Sequence, residues 1–251
     1  MHRFFEIMDT ITRKTMLYKT QVPGLDYAMN PVRGCSHGCR YPCYAYLMAM
    51  RFGKVHSYTE WIRPVIVENT LDLLKKELKK WQNKIRCVHF CFSTDPFMYQ
   101  QLEIQALTLE AIQLINAAGI PCSILTKGIL PADLANLDQR NRYGISLVSL
   151  DEDFRQRWEP GAAPYADRIR ALKELHQHGA MTWVHMEPYP TPNLIVQDID
   201  SVLNAIDFVD QLDFGGLNYN PVVQKYPDTP GFYNSMKSTI DKFCKEHHIR
   251  F

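Results

Sequence analysis

The chain has 251 residues, of which 46% are hydrophobic and 22% are charged, and its formal net charge is +1. This composition is typical of a globular protein that buries a sizeable core in one large α/β domain or two small ones. The near balance of charges argues against a general basic field of the kind that nucleic-acid-binding domains carry, although a local basic groove is compatible with it.

The N-terminal stretch and the cysteine content indicate in which cellular compartment the protein is found. Residues 1–9 contain acidic side chains and no long apolar run, so we do not expect a signal peptide. No segment approaches the roughly 18 apolar residues of a membrane span. The seven cysteines are odd in number and show no regular disulfide framework. We therefore expect a cytoplasmic protein without a membrane partner, whose thiols have metal-binding or redox roles.

Taken in chain order, the hydrophobic pattern alternates strands with helices. Residues 1–25 form an N-terminal lead-in segment that ends at the turn signal Pro23-Gly24. Strands are predicted at 25–32, 86–93, 121–126, 143–150, 181–186 and 212–217, and helices at 45–52, 67–82, 101–118, 131–136, 164–178, 198–208 and 235–247. Strands that alternate with helices predict a parallel sheet. The fold class is therefore α/β: a single-domain, partial (β/α)6 TIM-type barrel over residues 26–251, with a doubly wound sheet as the alternative.

One loop, residues 30–44, contains three cysteines within nine residues: Cys35, Cys39 and Cys43. Glycine, proline and aromatic neighbours are typical of a loop that wraps a metal centre rather than of a packed helix or strand. Zinc requires four ligands, usually in pairs from two segments, and His37 is the nearby candidate for the fourth. Iron–sulfur clusters are held by cysteine thiolates, and three thiolates on a four-iron cluster leave one iron open.

Polar residues gather where the predicted strands end, which is where ligands bind in parallel α/β folds. They are the cysteine loop, Ser93 to Pro96, Thr126 to Gly128, Ser146 to Asp151, His185 to Pro188 and Asn218 to Asn220. This agreement between separate strands predicts one site at one end of the sheet.

Strand alternation predicts which side chains face the barrel interior. In the second strand, Val88, Phe90 and Phe92 would pack on helices, while the interior face would carry Cys87, His89, Cys91 and Ser93. By the same count, the fifth strand presents Trp183, His185 and Glu187 on one face.

The cysteine loop and the strand-end segments together resemble the radical S-adenosylmethionine superfamily, and within it the spore-photoproduct-lyase-like branch. The resemblance runs from about residue 26 to about residue 220 and includes Ser93 to Phe97, Thr126-Lys127, Ser146-Leu147, Glu159-Pro160 and Glu187-Pro188. The group of paired radical proteins encoded on mobile elements, mobile pair protein B, is the nearest. One feature departs from the family: Pro42 makes the second cysteine gap three residues long instead of two.

The resemblance implies a 4Fe–4S cluster held by Cys35, Cys39 and Cys43, with S-adenosylmethionine on the fourth iron. Reductive cleavage of the cofactor would yield a 5′-deoxyadenosyl radical that acts on a substrate not identified by the sequence. The implied cofactor-binding residues are Ser93, Thr94 and Asp95 near the methionyl amine, Lys127 and Ser146 near the carboxylate and ribose, and Tyr44 over the cluster or adenine, together with His185 and Glu187. Cys91 is implied as a hydrogen-atom donor or relay.

The implied partners are a one-electron donor such as flavodoxin or ferredoxin and a second radical S-adenosylmethionine protein. Two alternatives stand beside this reading. One is a non-catalytic zinc or iron–sulfur scaffold. The other is nucleic-acid repair of the spore photoproduct lyase type, which the even charge balance and small size do not favour. Lys75, Lys76, Lys79 and Lys80 are interpreted as the solvated face of an amphipathic helix.

Overall fold

A computed structural model describes residues 8–22 and 25–251. The strands are β1 (Thr10–Ile11), β2 (Tyr18–Lys19), β3 (Tyr27–Met29), β4 (Val32–Arg33), β5 (Val65–Val67), β6 (Val88–Phe90), β7 (Cys122–Thr126), β8 (Arg142–Ser146), β9 (Met181–Tyr189) and β10 (Gln211–Gly216). The α-helices are α1 (Tyr44–Arg51), α2 (Tyr58–Trp61), α3 (Thr70–Trp81), α4 (Leu102–Ala117), α5 (Glu152–Trp158), α6 (Tyr165–Gln177), α7 (Ile199–Asn204) and α8 (Thr229–Glu246). Short 3-10 helices cover Gln82–Lys84, Ala132–Asn136 and Val223–Lys225.

The main sheet is the predicted parallel one. Strands β3, β6, β7, β8, β9 and β10 lie side by side in chain order, and every neighbouring pair among them is parallel. Strand β2 pairs antiparallel with β3 at one edge. Within the described part of the chain, no pairing joins β2 to β10, so the barrel stays open. The prediction of a partial α/β barrel is confirmed.

A second, smaller sheet holds the chain on either side of the cysteine loop. Strand β5 pairs with β1 in parallel and with β4 antiparallel. The predicted strand over 25–32 is therefore split. Residues 27–29 enter the main sheet, and Val32 pairs with Ile66 in the small sheet. Pro31, which has no N–H to donate, lies at the split. The Pro23-Gly24 turn and residues 1–7 lie outside the described residues.

The helix predictions hold apart from two omissions, α5 and the four-residue α2. Helices α1, α3, α4, α6, α7 and α8 all fall within or overlap predicted ranges. Helix α5 was missed, because the predicted strand at 143–150 ends at Ser146 and the chain turns into a helix capped by Asp151. Seven residues rich in charge give too few apolar positions for a 3.6-residue period to be seen.

The core lies between the main sheet and the helices that cover it. Alternate side chains of the parallel strands point outward into this layer and are buried, among them Phe90, Ile124, Ile145, Val184 and Leu212. The opposite side chains of the same strands are left for the barrel interior. Of the helices in the described residues, none is long and apolar enough to cross a membrane.

Candidate active site

A cavity of about 570 Å³ occupies the barrel interior and reaches the cysteine loop. Nearly all the residues proposed from the sequence line it: Cys35, Cys39, Cys43, Tyr44, Cys91, Thr94, Asp95, Lys127, Ser146, His185 and Glu187. Ser93 is the exception, because its side chain is exposed outside the cavity wall. The strand ends therefore converge on one site, as the sequence predicted.

The three loop cysteines are free thiols that share one wall of this cavity. Burial raises the pKa of Cys35 well above its usual range and raises the pKa of Cys39 to about 12. These thiols are therefore protonated in the metal-free protein, and a bound metal centre would have to displace the protons. Three sulfur donors from a single loop that line one cavity suit an iron–sulfur cluster, so the donor set fits the group that the resemblance implies.

Neighbouring segments fix the path of the cysteine loop through backbone hydrogen bonds. The Cys35 N–H donates to the Trp61 carbonyl at 2.9 Å, and the Arg40 N–H donates to the Trp158 carbonyl at 2.8 Å. Gly34 has a φ of +85°, and a Cβ there would lie 2.6 Å from the Trp61 carbonyl oxygen. Only glycine fits this approach of the loop to helix α2.

His37 is an anchor of the loop and not a metal ligand. Its imidazole is buried, its Nε2 accepts the Tyr99 N–H at 2.9 Å, and its Nδ1 lies 3.4 Å from Asp95 Oδ2. Burial lowers the pKa of His37 to about 4, so the ring is neutral and the Nδ1 proton faces Asp95. With both nitrogens engaged, His37 cannot be the fourth zinc ligand considered from the sequence. Among residues 8–22 and 25–251, no group of three histidine, cysteine or acidic side chains is arranged to hold a single metal ion.

Asp95 joins the cysteine loop to the ends of β6 and β7. Its carboxylate accepts hydrogen bonds from the Thr126 hydroxyl at 2.6 Å, the Lys127 N–H at 2.8 Å and the Phe97 N–H at 2.9 Å. Thr94 donates its hydroxyl to the Gly34 carbonyl. The predicted segment after the second strand therefore holds the cysteine loop in place through its own side chains.

A buried ion cluster lies behind Lys127. Glu159 accepts hydrogen bonds from the Tyr41 hydroxyl and from Arg168 Nη2, the latter at 2.8 Å, and lies 3.9 Å from Lys127 Nζ. Burial alone would raise the pKa of Glu159, but Arg168 and Lys127 outweigh it and hold the pKa below its usual value. The sequence showed Glu159 only as part of a family segment. It gave no signal for Arg168, which donates to the Ser146 carbonyl at 2.9 Å.

The extra residue Pro42 lies between two fixed points. On one side, Tyr41 is buried, stacks on Trp158 with ring centroids 6.2 Å apart and bonds to Glu159. On the other side, Cys43 caps the start of α1, and its carbonyl accepts the Leu47 N–H at 3.0 Å. The longer gap is thus absorbed between these anchors, and Cys43 still lines the cavity.

The face prediction for β6 fails at the end of the strand. His89 lines the cavity as expected, with Nδ1 3.2 Å from Ser123 Oγ. Phe92 was expected to pack on helices, but it lines the cavity and stacks on His89 at 4.4 Å. The reason is Cys91, whose φ of +70° breaks the alternation, so that both Cys91 and Phe92 face the cavity.

The face prediction for β9 is confirmed, since Trp183, His185 and Glu187 all line the cavity. His185 Nε2 lies 3.4 Å from Glu187 Oε2, and burial lowers the pKa of His185 to about 4. The neutral imidazole is therefore available as a hydrogen-bonding group. Sequence reasoning missed Arg142, Gln211 and Asp213, which line the same cavity from the starts of β8 and β10. These three residues lie before the carboxyl ends of their strands, and the prediction considered only residues at those ends.

Relatives of the chain have been recorded in several organisms. An uncharacterised protein of Methanocaldococcus jannaschii is 27% identical over 197 residues, which cover 77% of this chain and 70% of the relative. An uncharacterised protein of Mycobacterium tuberculosis is 37% identical over 176 residues, which cover 64% of this chain and 49% of the relative. The chain thus spans about half the length of this mycobacterial relative.

Solved structures share the fold. Spore photoproduct lyase complexed with dinucleoside spore photoproduct superposes with a TM-score of 0.68 at 16% identity, covering 94% of this chain and 78% of the lyase. A radical S-adenosylmethionine methyltransferase from Kitasatospora setae superposes with a TM-score of 0.52 at 13% identity, covering 75% of this chain and 35% of that protein. The family model of the radical SAM superfamily matches residues 29–206, a range that contains the cysteine loop and the ends of strands β6 to β9. The chain therefore belongs to the radical SAM superfamily.

Proposed function

We propose that this chain is a radical enzyme that binds a 4Fe–4S cluster through Cys35, Cys39 and Cys43 and cleaves S-adenosylmethionine reductively. The observation that carries the proposal is the meeting of three free thiols with the polar strand ends on the wall of one cavity. When bound, the cluster would supply one electron to the sulfonium of S-adenosylmethionine and so start radical chemistry. The chain's own residues bind, orient and shield the reactants.

Lys127 is the residue we propose for the cofactor carboxylate. Its Nζ contacts Glu159 at 3.9 Å, and Glu159 is shared with Arg168. Burial alone would lower the pKa of Lys127, but Glu159 outweighs it and the pKa is raised, so the ammonium stays charged. A charged ammonium on a residue that lines the cavity is suited to a carboxylate. Ser146, one strand further along, is proposed beside it, near the ribose.

Thr94 and Asp95 are proposed neighbours of the methionyl amine, together with the adjacent Ser93. Because the side chains of Thr94 and Asp95 already bond within the protein, they form a rigid wall beside the cysteine loop. A rigid wall of this kind loses little conformational entropy when a ligand binds. Tyr44, His185 and Glu187 are proposed to contact the rest of the cofactor, since all three line the cavity.

Cys91 is proposed as a hydrogen-atom donor or relay. It is buried, it lines the cavity, and burial raises the pKa of its thiol well above its usual range. The sulfur therefore keeps its hydrogen, which a donor to a carbon radical requires. A Cys91→Ala variant tested in deuterated water should still cleave the cofactor but alter the deuterium content of the final product.

The experiment that tests the proposed function is anaerobic reconstitution followed by product analysis. The protein should bind about four irons per chain and release 5′-deoxyadenosine when it is reduced with S-adenosylmethionine present. A full cluster that yields no 5′-deoxyadenosine contradicts the proposal. An EPR spectrum of the reduced cluster that does not change on adding the cofactor would support the non-catalytic scaffold instead.

A further inference from the structure

The outward face of helix α1 is apolar and open to solvent. Tyr44, Leu47, Met48 and Arg51 follow one another at the spacing of a single helix face, and all four are exposed. Phe52, directly after the helix, is 63% exposed. A stripe of large apolar side chains on one exposed helix face is a feature of interaction sites rather than of ordinary surface.

The inner face of α1 explains how the helix stays in place without using this stripe. Only the small residues Ala45 and Ala49 are buried, and they pack in a cluster with Val55 and Trp61. Tyr46 packs against the same cluster, whereas Leu47 and Met48 are exposed and do not belong to it. Their exposure leaves apolar surface whose burial would favour the binding of a partner.

The charged side chains of the chain segment that carries this stripe have one sign. Between residues 27 and 59 there is no aspartate or glutamate, whereas Arg40, Arg51 and Lys54 are all exposed. The next acid along the chain, Glu60, accepts the His56 N–H at 2.7 Å. An apolar centre with a basic rim is complementary to a partner with an apolar centre and an acidic rim.

Helix α1 is also joined directly to the proposed cluster. Its N-cap is Cys43, and Tyr44, the first residue of the stripe, lines the cavity. One of the three proposed cluster ligands, Cys43, is thus the residue directly before the helix. The eight-residue helix is about 12 Å long. That size suits the small, transient interfaces of electron-transfer complexes.

We infer that the exposed face of α1, with Phe52, Arg51 and Lys54, is the docking surface for an acidic flavoprotein that donates single electrons, of the flavodoxin type. The inference rests on the proposed function. In the step, the reduced flavin loses one electron and the cluster held by the three cysteines gains it, and no atom is transferred. We choose a flavin carrier because the aromatic and apolar centre of the face suits the apolar edge of an isoalloxazine ring.

The test compares reduction by flavodoxin with reduction by dithionite, a small ion that needs no docking surface. The variants are Leu47→Glu with Met48→Glu, and Arg51→Glu with Lys54→Glu. The matched control is Met181→Glu, since Met181 is 38% exposed against 40% for Met48 and lies at the start of β9, the opposite end of the barrel. The readouts are flavodoxin affinity by calorimetry, the rate of cluster reduction by EPR without S-adenosylmethionine, and 5′-deoxyadenosine formation.

Each α1 variant should weaken flavodoxin binding and slow flavodoxin-driven reduction about tenfold, a loss typical of removing a central anchor or reversing a rim charge pair. Dithionite-driven reduction and product formation should stay at the level of the unaltered protein, and Met181→Glu should change nothing. Equal losses with both reductants, no loss at all, or support from ferredoxin but not flavodoxin would overturn the inference. If no reductant yields 5′-deoxyadenosine from the unaltered protein, the proposed function fails instead. The calorimetric affinity for flavodoxin still shows in that case whether α1 is the docking surface.

Discussion

The Nδ1 of His37 lies 3.4 Å from Asp95 Oδ2, and this contact links the middle of the cysteine loop to the turn after β6. Because Nε2 accepts the Tyr99 N–H at 2.9 Å, the imidazole bridges two points of the same turn. The loop is thus held in position by buried polar contacts rather than by a metal ligand. This assignment can be tested without any metal present.

His37→Ala should lower the free energy of unfolding of the metal-free protein by about 2–4 kcal/mol, because the Tyr99 N–H loses its partner and a buried cavity opens. Chemical denaturation of the apo protein measures this. His56→Ala is the control, since that side chain is exposed and should cost less than about 0.5 kcal/mol. If His37→Ala left apo stability unchanged, His37 would not be a structural anchor.

Glu159→Gln should be among the most destabilising single changes in the protein. It leaves the fully buried Arg168 guanidinium without its carboxylate, and breaking a buried ion pair in this way costs about 3–5 kcal/mol. Glu246→Gln is the matched control, because that carboxylate contacts Lys242 on an exposed helix face. Thermal and chemical unfolding should separate the two variants clearly; a similar small loss in both would contradict the role assigned to the cluster.

Acid should remove the contribution of Glu159. The pKa of a glutamate in an unfolded chain is about 4.3. In the folded protein, Arg168 and Lys127 hold the pKa of Glu159 below its usual value. The stabilisation is therefore fully present above the unfolded pKa and is lost as the pH falls through the folded one. The difference in free energy of unfolding between the unaltered protein and Glu159→Gln should therefore shrink as the pH falls below about 4.3. A difference that stayed constant with pH would refute this linkage.

Cys43→Ala should abolish binding of a full cluster in spite of the extra residue Pro42. All three loop thiols face the same cavity, so removal of one leaves too few thiolates for the cluster. Iron content and the visible spectrum after anaerobic reconstitution measure the loss. Cys244→Ala is the control, since Cys244 is a buried residue of helix α8 and does not line the cavity. Retention of a full cluster that responds to S-adenosylmethionine in Cys43→Ala would show that Cys43 is not a ligand.

Replacing Lys75, Lys76, Lys79 and Lys80 by glutamine should leave 5′-deoxyadenosine formation and activity on the substrate intact. These lysines are exposed on α3, on the face opposite the buried Leu74 and Leu78, and they lie away from the cavity. A duplex-binding role would instead show as a loss of DNA affinity and a flatter dependence of that affinity on salt. Electrophoretic mobility shifts at two salt concentrations distinguish the outcomes.

The sequence alone determined the order of the six parallel strands and of most helices between them, and it named many of the residues that line the cavity. Apolar periodicity is set by which side of each element is buried, so it revealed the alternating strands and helices, and strand ends of a parallel sheet necessarily share one edge. It also singled out Cys35, Cys39 and Cys43, because thiols at short spacing leave a local mark. Where the chain leaves regular geometry the prediction failed: at Cys91, the positive φ turned Phe92 into the cavity.

Only the tertiary structure decided which polar side chains serve each other. His37 and Asp95, or Glu159 and Arg168, are brought together by the packing of loops and helices onto the sheet, and no local pattern in the chain encodes those distances. Likewise, the apolar residues of helix α1 can be read from the chain, but the fold decided that Ala45 and Ala49 face inward while Leu47 and Met48 stay exposed. The physical reason is that burial is a property of the assembled layers, whereas residue type and spacing are properties of the chain.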